Sequence, residues 1–219
     1  MTGVVESIQV GRPRWHGTPG SADPFDRPFA TGFWKDPVAG PVVVRSANLD
    51  GDGQADLANH GGPDKAVLVY PAAHYPGWRA ELGLPDLPHG AFGENLTVAG
   101  PTELEACVGD VWRVGAVVFQ VSQPRQPCWK LARRWRLKDL PARVVESGRC
   151  GWYLRVLTEG TIEAGQAVEL VARPRPDWPV RRAHRVMYFH RSDPAANAEL
   201  AAVPELSLSW REELLARTG

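Results

Sequence analysis

One cysteine lies in a rigid and positively charged stretch of the chain. Cys128 follows Pro127 in the segment SQPRQPCWK, and Arg125 precedes the cysteine by three positions. Proline fixes its own φ angle and pushes the preceding residue towards extended geometry. Nearby positive charge and the free N–H groups of a helix start favour a thiolate, which attacks substrates or ligates soft metals. Free cysteines are more often small buried hydrophobes, but this setting predicts a functional thiol.

The other two cysteines, Cys107 and Cys150, lack a comparable basic setting, and we expect both to be buried. Three widely separated cysteines without a CxxC pair indicate neither a disulfide framework nor a zinc site. The N-terminal segment lacks the pattern of a signal peptide, and no apolar run approaches the roughly 20 residues that span a bilayer. These features predict a cytoplasmic protein with reduced thiols and no membrane partner.

A run of basic residues surrounds Cys128. Six basic residues and no acidic one lie between positions 125 and 138. An exposed helix face is the usual explanation of such a run. A pocket for anions is the alternative, because arginine binds phosphate through two parallel hydrogen bonds. The six residues are Arg125, Lys130, Arg133, Arg134, Arg136 and Lys138.

An acidic loop, NLDGDGQADLAN, has the spacing of a calcium-binding loop over much of its length. Several of its side chains, including Asp52 and Asp56, fall at the ligand positions of an EF-hand. The twelfth position is Asn59, where a bidentate glutamate is required, and the flanking segments do not resemble helices. We therefore expect a structural loop that orients His60, with Asp56 as a partner of the imidazole.

A glycine-rich turn follows this loop. In the segment HGGPDKAVLVY, Gly61 and Gly62 can adopt positive φ or let a ligand approach the backbone closely, and His60 and Lys65 lie beside them. The same pattern is also common in ordinary hairpin turns. A second polar turn, FGEN, ends at Asn95, whose amide can satisfy loop backbone groups without any ligand.

Most of the chain that must position these groups has the pattern of β-strands. The 219 residues are 43% hydrophobic and 23% charged with no formal net charge, which is typical of a globular protein and argues against a general nucleic-acid binder. Short valine-rich segments bounded by turn residues predict a β-barrel or a closed sandwich. In one segment, Val117, Phe119 and Val121 share a face.

Helical patterns interrupt the strands. Pro127 is expected in the first turn of a helix through WKLARRW, and Asp139 is expected to cap a second helix that Gly148 ends. A third helix is expected around Tyr75 and Trp78.

A proline-rich connector, RPRPDWP, divides a barrel domain at residues 1–172 from a helical region at residues 173–219. The helical region has few residues for an independent core, so we expect it to dock on the barrel or on a partner. Its predicted apolar helix face consists of Ala183, Val186, Met187 and His190. Asp193 is the predicted cap of a second helix, and Ser209 with Glu212 is a predicted capping box.

Taken together, these motifs resemble the MOSC domain (molybdenum cofactor sulfurase C-terminal domain), in its YiiM-type branch. The resemblance rests on TGFWKDPVAGPV, GDGQADLANHGGPDKAVLVYP, FGENLTV, VGDVWRVG, QPRQPC and GRCGWYLRVL, and on a tail similar to the three-helix region of that branch. It implies a mainly β fold, a β-barrel with inserted helices, followed by a small C-terminal three-helix region. Trp34 departs from the family pattern, and we expect it to narrow one wall of the pocket.

The resemblance implies a molybdenum–pterin cofactor (molybdopterin) with Cys128 as the metal ligand. It implies that Arg125 neutralises the cofactor phosphate and that Gly61 and Gly62 admit the pterin close to the backbone. The other implied cofactor-binding residues are Lys65, Asn95, Asp56 and Lys35. The family-level domain description also carries an association with pyridoxal phosphate.

The implied activity is reduction of N-hydroxylated compounds, including hydroxylaminopurine-type base analogues. R–NHOH would take two electrons and two protons to give R–NH2 and water, with a flavin reductase-type partner restoring the electrons. His60 is the candidate proton donor because an unperturbed imidazole titrates near neutrality, and a structural histidine in a glycine turn is the alternative. The competing functions are a non-catalytic carrier of cofactor or sulfur that uses Cys128, and a nucleic-acid-binding barrel. A homodimer is compatible with the sequence.

Overall fold

The structure is a computed structural model that describes residues 2–57 and 60–218. The strands are β1 (Thr2–Val10), β2 (Arg14–His16), β3 (Phe29–Thr31), β4 (Asp36–Pro37), β5 (Val42–Arg45), β6 (Asn48–Leu49), β7 (Val67–Pro71), β8 (Leu96–Ala99), β9 (Val111–Val114), β10 (Val117–Pro124), β11 (Trp152–Thr158), β12 (Gly160–Ile162) and β13 (Ala167–Ala172). The α-helices are α1 (Tyr75–Leu82), α2 (Trp129–Trp135), α3 (Leu140–Ser147), α4 (Val180–Phe189), α5 (Pro194–Ala201) and α6 (Leu208–Leu215). Short 3₁₀ turns cover Pro63–Lys65 and Ala72–His74.

Seven of these strands close into a barrel. Their hydrogen-bonded order is β13, β9, β10, β11, β7, β8 and β1, and β1 pairs back with β13. Neighbouring strands are antiparallel except for the parallel pair β7 and β8. Closure pairs every one of these strands on both sides, which removes the exposed edges of an open sheet. The predicted mainly β fold, a barrel with inserted helices, is confirmed.

Strand β10 shows how the alternating pattern builds the core and reaches the site. Val117, Phe119 and Val121 are fully buried in the main apolar cluster, as their spacing predicted. Burying a side chain of this kind stabilises the fold by about 1.5–3 kcal/mol. The strand ends at Pro124, so the segment that follows leaves a wall held on both sides by β9 and β11.

The helices of the barrel domain lie where the sequence predicted them, but two details of their N-terminal ends differ. Helix α2 begins at Trp129 with Cys128 as its N-cap, so Pro127 lies outside the helix and not in its first turn. The backbone of Cys128 is extended (φ −115°, ψ 168°), which delays the helix start. Asp139 is the N-cap of α3 but its side chain makes no capping hydrogen bond. Gly148 ends that helix at φ 66°, as predicted, and α1 covers the third predicted helix.

Helices α4, α5 and α6 form the predicted C-terminal three-helix region. The Asp193 cap is confirmed, because its Oδ1 accepts a hydrogen bond from the Ala196 N–H at 3.0 Å. The capping box at Ser209 is wrong. Ser207 is the N-cap, and α6 has already begun at Leu208. In the described part of the chain, no helix is both long and apolar enough to cross a membrane.

The apolar cluster of the three-helix region is separate from the barrel core but takes in Val108 of the barrel. Of the predicted face, Ala183, Val186 and Met187 are buried, whereas His190 lies beyond the last helical residue and is partly exposed. The region therefore docks on the barrel. The domain division at residue 173 stays a prediction.

Candidate functional site

Seven of the nine predicted site residues line one cleft, which encloses about 600 Å³ including its open mouth. Gly62 and Asp56 are outside the lining set. The lining residues are Thr31, Gly32, Phe33, Lys35, Gly53, Gln54, Ala55, His60, Gly61, Lys65, Leu68, Gly93, Asn95, Arg125, Gln126, Cys128, Lys130 and Tyr153. The cleft thus lies where several elements meet. They are strand β11, the ends of β10 and β3, and the loops before β7 and β8.

The three cysteines differ in their environment. Cys128 is partly exposed and lines the cleft, whereas Cys107 is 2% exposed and Cys150 is fully buried, as predicted. Burial, together with the negative charge of Asp110, raises the pKa of Cys107 to about 11. Burial also raises the pKa of Cys150 well above its ordinary value. Cys128 is therefore the thiol that a ligand in the cleft can reach.

Arg125 is buried beneath the cleft with part of its guanidinium unpaired. The residue is 2% exposed, and its Nη2 donates to the Phe92 carbonyl oxygen at 2.9 Å. Its backbone N–H donates to the Gly151 carbonyl at 3.0 Å, which ties the Cys128 segment to the start of β11. The Nη1 group is buried, and among the described residues it has no hydrogen-bond partner. Leaving a buried hydrogen-bond donor unpaired costs about 1–3 kcal/mol of free energy. A ligand that brings a hydrogen-bond acceptor to this group would remove that cost.

The basic run around Cys128 divides between the cleft and the scaffold. Lys130 lines the cleft at 7% exposure, with its Nζ 5.9 Å from the centre of the Trp129 ring. Arg133 and Arg134 instead hold loops, donating to the carbonyl oxygens of Phe25 at 2.7 Å and of Gly90 at 2.6 Å. Neither an exposed helix face nor a pocket for anions describes the whole run of basic residues. Two cations face the cleft, and the others are mainly structural or exposed.

Asp52 is the centre of a buried polar network beside the cleft. Its side chain is 0% exposed and accepts hydrogen bonds from Gly11 N–H at 2.7 Å, from Asn95 Nδ2 at 2.9 Å and from the Lys35 ammonium. Asn95 also accepts from the Leu68 N–H at 3.1 Å. Burial lowers the pKa of Lys35, and Asp52 opposes that shift. Lys35 and Asn95 thus line the cleft while holding its walls together, and their contact with a cofactor stays a prediction.

The acidic loop behaves as the structural loop that we expected. Asp52 is committed to the network above, and Asp50 pairs with Arg45 at 2.8 Å. Among the residues that the structure describes, no group of three or more His, Cys, Asp or Glu could hold a metal ion. Asn59, at the twelfth position of the calcium pattern, lies outside the described residues.

The environment of His60 differs from the sequence expectation. Burial, and then the charge of Lys130, lowers the pKa of His60 to about 4, against a smaller opposing effect of Asp56. The ring is therefore neutral at pH 7, and the role of His60 as a proton donor stays a prediction. The main-chain carbonyl oxygen of Asp56 accepts the backbone N–H of His60 at 3.0 Å, and the pairing of Asp56 with the imidazole stays a prediction.

The glycine turn has the predicted backbone geometry. Gly61 and Gly62 have φ of 87° and 83°, which L side chains rarely adopt. A Cβ on Gly62 would meet nothing within 4 Å, whereas on Gly61 it would come within 3.0 Å of Gln54 Oε1. Lys65 follows in the 3₁₀ turn, where burial lowers its pKa and the charges of Asp64 and Glu213 oppose that effect.

Trp34 does not narrow the pocket, contrary to expectation. Its ring stacks on His16 at 4.3 Å and packs against Phe29 at 5.6 Å, outside the lining set. The wall is formed by Phe33, against which Gly93 packs so closely that a Cβ there would lie 2.5 Å from the ring. A glycine in the FGEN turn was the only sequence sign of this contact.

The sequence predictions did not name Tyr153 as a cleft residue, and they named Lys130 only as one of six basic residues that could form an anion pocket. For Tyr153 a signal existed, because Trp152 and Leu154 on either side of it are core residues and strand alternation turns Tyr153 to the other face. For Lys130 no signal separated it from the basic residues that follow.

Comparisons with known proteins agree with this architecture. The family model described as "MOSC domain" matches residues 56–169, and the model described as "YiiM-like, 3-alpha helix domain" matches residues 178–217. The chain is 44% identical to "Uncharacterized protein YflK" of Bacillus subtilis (strain 168) over 96% of this chain and 92% of that protein. It is 34% identical to a "Reductase" of Gibberella moniliformis over 94% of this chain but only 36% of that longer protein. The crystal structure of YiiM from Geobacillus stearothermophilus superposes with a TM-score of 0.82 at 37% identity, covering 99% of this chain and 100% of that one.

Proposed function

Because this chain belongs to the MOSC-domain family and carries the YiiM-like three-helix domain, we propose that it is a molybdenum-cofactor-dependent reductase of N-hydroxylated compounds. The observation that carries the proposal is the pairing, in one cleft, of the accessible Cys128 thiol with the unpaired, buried Nη1 of Arg125. A relative named "Reductase" that contains this region as about a third of its length supports the redox assignment.

The residues of the cleft fit a molybdenum–pterin group in three respects. Thiolate sulfur is a soft ligand, and Cys128 presents its sulfur from an extended N-cap position. Arg125 and Lys130 are buried cations that suit a phosphate, and Arg125 has a donor to spare. Gly61 lines the cleft with a φ of 87° and carries no side chain, so a flat ring could approach its backbone. A group of this size would occupy the open cleft and extend into its mouth.

When bound, the group supplies a two-electron redox centre, and the chain supplies ligation, orientation and a controlled environment. The proposed overall reaction is R–NHOH + 2 e⁻ + 2 H⁺ → R–NH2 + H2O. Cys128 would hold the metal, Arg125 and Lys130 would bind the anionic part of the cofactor, and Asp52 would keep the surrounding loops in place. His60, neutral at pH 7, would act as a hydrogen-bonding group and not as an imidazolium acid.

The proposal includes a flavin reductase-type electron donor, a small-molecule substrate such as a hydroxylaminopurine, and a cytoplasmic location with reduced thiols. It assigns no role in nucleic-acid or membrane binding. The second candidate function is a non-catalytic carrier of the cofactor or its sulfur, which the same accessible Cys128 favours.

The test begins with protein produced in a host that makes the cofactor. We expect molybdenum and pterin to copurify, and we expect hydroxylaminopurine to be reduced when a reduced flavin reductase is present. Cofactor without turnover would instead support the carrier function. Protein that takes up neither molybdenum nor pterin from such a host would contradict both.

A matched pair of variants tests the part played by Arg125. Arg125→Gln should lower the molybdenum and pterin content at least about tenfold, because a charge-assisted hydrogen bond contributes roughly 1.5–3 kcal/mol. Arg113→Gln, at a half-exposed arginine on β9, should leave both contents unchanged. Equal cofactor content in the two variants would remove Arg125 from the proposed site.

A further inference from the structure

Most polar side chains of the cleft are already paired within the protein. Lys35 and Asn95 bind Asp52, and Gln54 accepts a hydrogen bond from Asn48 Nδ2 at 3.3 Å. A ligand that enters the cleft therefore meets few groups with hydrogen-bonding capacity to spare. Arg125 Nη1 is one of them, and it is charged and deeply buried.

The hydroxyl of Tyr153 is another cleft group with hydrogen-bonding capacity to spare. Tyr153 lies on β11 directly across from Gln123 of β10, and its neighbours Trp152 and Leu154 are 0% and 1% exposed in the barrel core. The strand therefore presents the phenol ring to the cleft from a firmly packed backbone. Among the described residues, nothing forms a hydrogen bond with the Tyr153 hydroxyl, although its main-chain oxygen accepts one from Ser122 Oγ at 3.1 Å.

Tyr153 lies near residues to which the proposed function assigns a role. Arg125, Cys128 and Asp52 are all close enough to act electrostatically on its phenol. Burial raises the pKa of Tyr153 to about 12, against the effect of Arg125, so the phenol stays neutral at pH 7. A neutral hydroxyl both donates and accepts hydrogen bonds.

Arg125 Nη1 and the Tyr153 hydroxyl suit different partners. A buried guanidinium suits an anion, whereas a neutral, partly exposed phenol suits a neutral oxygen. The N-hydroxyl group of a hydroxylamine is such an oxygen, and it can both donate and accept. We infer that Tyr153 is the specificity-determining residue of the cleft, whose hydroxyl hydrogen bonds to the N-hydroxyl oxygen of the substrate. The inference rests on the proposed function.

This role predicts discrimination between substrate and product. A site built to bond a substrate hydroxyl rejects an analogue without it, because the protein group is then left unpaired. The tyrosine would thus favour the hydroxylaminopurine over the aminopurine that the reaction releases, and would assist product exchange.

The experiment measures equilibrium binding and needs no turnover. Cofactor-loaded, oxidised protein without reductant is titrated with hydroxylaminopurine and with the matching aminopurine by isothermal titration calorimetry. Wild type should bind the hydroxylamino form more tightly, and Tyr153→Phe should reduce that ratio about tenfold, the size expected for one neutral hydrogen bond. Tyr188→Phe is the matched control, since this half-buried tyrosine of α4 is outside the cleft lining. It should change both affinities alike and leave their ratio intact.

Three results would overturn the inference. The first is a wild type that does not distinguish the two ligands, and the second is a ratio of the two affinities in Tyr153→Phe equal to that of wild type. The third is loss of molybdenum from Tyr153→Phe, which would make the phenol a cofactor contact. A reduced ratio with unchanged molybdenum content supports it. Failure of the proposed function would appear separately, as loaded wild type that binds hydroxylaminopurine but does not reduce it.

Discussion

The barrel and the three-helix region are stabilised in different ways. The barrel closes through strand pairing around one large apolar cluster, which includes Trp78 and Trp152. The three-helix region has a small cluster of its own around Trp210 and takes Val108 from the barrel, while Val180 of α4 packs into the barrel cluster. Each region thus contributes to the core of the other. The smaller region cannot bury enough apolar surface by itself.

Some contacts between the two regions lie close to the cleft, whereas others join the helices to Glu103, Ala106 and Val145 of the barrel. The Leu208 N–H donates to Asp64 Oδ2 at 3.0 Å, in the 3₁₀ turn that contains the cleft residue Lys65. No described residue of the three-helix region lines the cleft, yet this region braces one of its walls through Asp64. The barrel therefore supplies the chemistry and the helices support its placement.

The largest effect should come from removing the helices. Truncation after Arg173 exposes Val108 and deprives the barrel cluster of Val180, and it removes the hydrogen bond that supports Asp64. Exposed apolar surface of this kind promotes association. We expect aggregated or poorly soluble protein by size-exclusion chromatography with light scattering. A monomeric truncated barrel with the melting temperature of the full chain would show that the two cores are independent.

Next in size is the effect of Cys128→Ser, which should separate chemistry from stability. The hydroxyl does not ionise near neutral pH, so turnover of hydroxylaminopurine should fall by at least about 100-fold while the unfolding free energy changes by less than about 1 kcal/mol. We expect most of the molybdenum to be retained, because a large cofactor makes many other contacts. Full turnover with full molybdenum content in this variant would refute a thiolate ligand.

Cys107→Ser is the matched control for that experiment. The thiol is 2% exposed and lies away from the cleft lining, so turnover should stay near that of wild type. Its new hydroxyl enters a buried site, and a stability loss of about 1–3 kcal/mol is expected from the cost of burying a polar group. Thermal melting and activity together distinguish the two cysteines.

A smaller effect should follow from weakening the link between the regions at Asp64. Its carboxylate accepts hydrogen bonds from Arg155 Nη2 at 2.7 Å and from Leu208 N–H at 3.0 Å. Asp64→Asn should lower the unfolding free energy by about 1–2 kcal/mol, since the side chain is partly exposed. It should also speed alkylation of Cys128 by loosening the braced wall.

Asp139→Asn is the control for the Asp64 variant. Asp139 is exposed, and its nearest ion-pair contact is Arg143 at 3.9 Å. Neither the urea midpoint nor the alkylation rate should change measurably. If both variants behave alike, the bond between Asp64 and α6 does not brace the cleft.

The smallest expected effect is the pH dependence contributed by His60. Its pKa is about 4 in the folded protein against an ordinary value of 6.5, so below pH 6.5 the unfolded chain binds a proton that the folded chain does not. The free energy of unfolding should therefore fall between about pH 6.5 and pH 4, by roughly 1 kcal/mol once partial exposure is allowed for. His60→Asn should remove this part of the acid sensitivity in urea titrations at pH 7 and pH 5. An unchanged pH dependence would mean that the imidazole is not desolvated.

Much of the fold and part of the cleft follow from local sequence alone. Strand alternation predicts that Phe119 is buried, and proline and helix-start chemistry single out Cys128. Adjacent glycines predict the positive φ at Gly61 and Gly62. These are local properties, because a residue's own backbone limits and its immediate neighbours decide them. The order of the motifs was also enough to indicate the family.

The remaining features depend on segments that are distant along the chain. Only packing decides that Arg125 faces the cleft while Arg134 holds a loop, since both occur in one basic run. The low pKa of His60 comes from its burial and from Lys130, about 70 positions away in sequence. The free hydroxyl of Tyr153 is likewise a property of the assembled cleft. Burial and long-range charge exist only after folding, which is why tertiary structure decided the electrostatics of a site whose thiol could be identified from sequence.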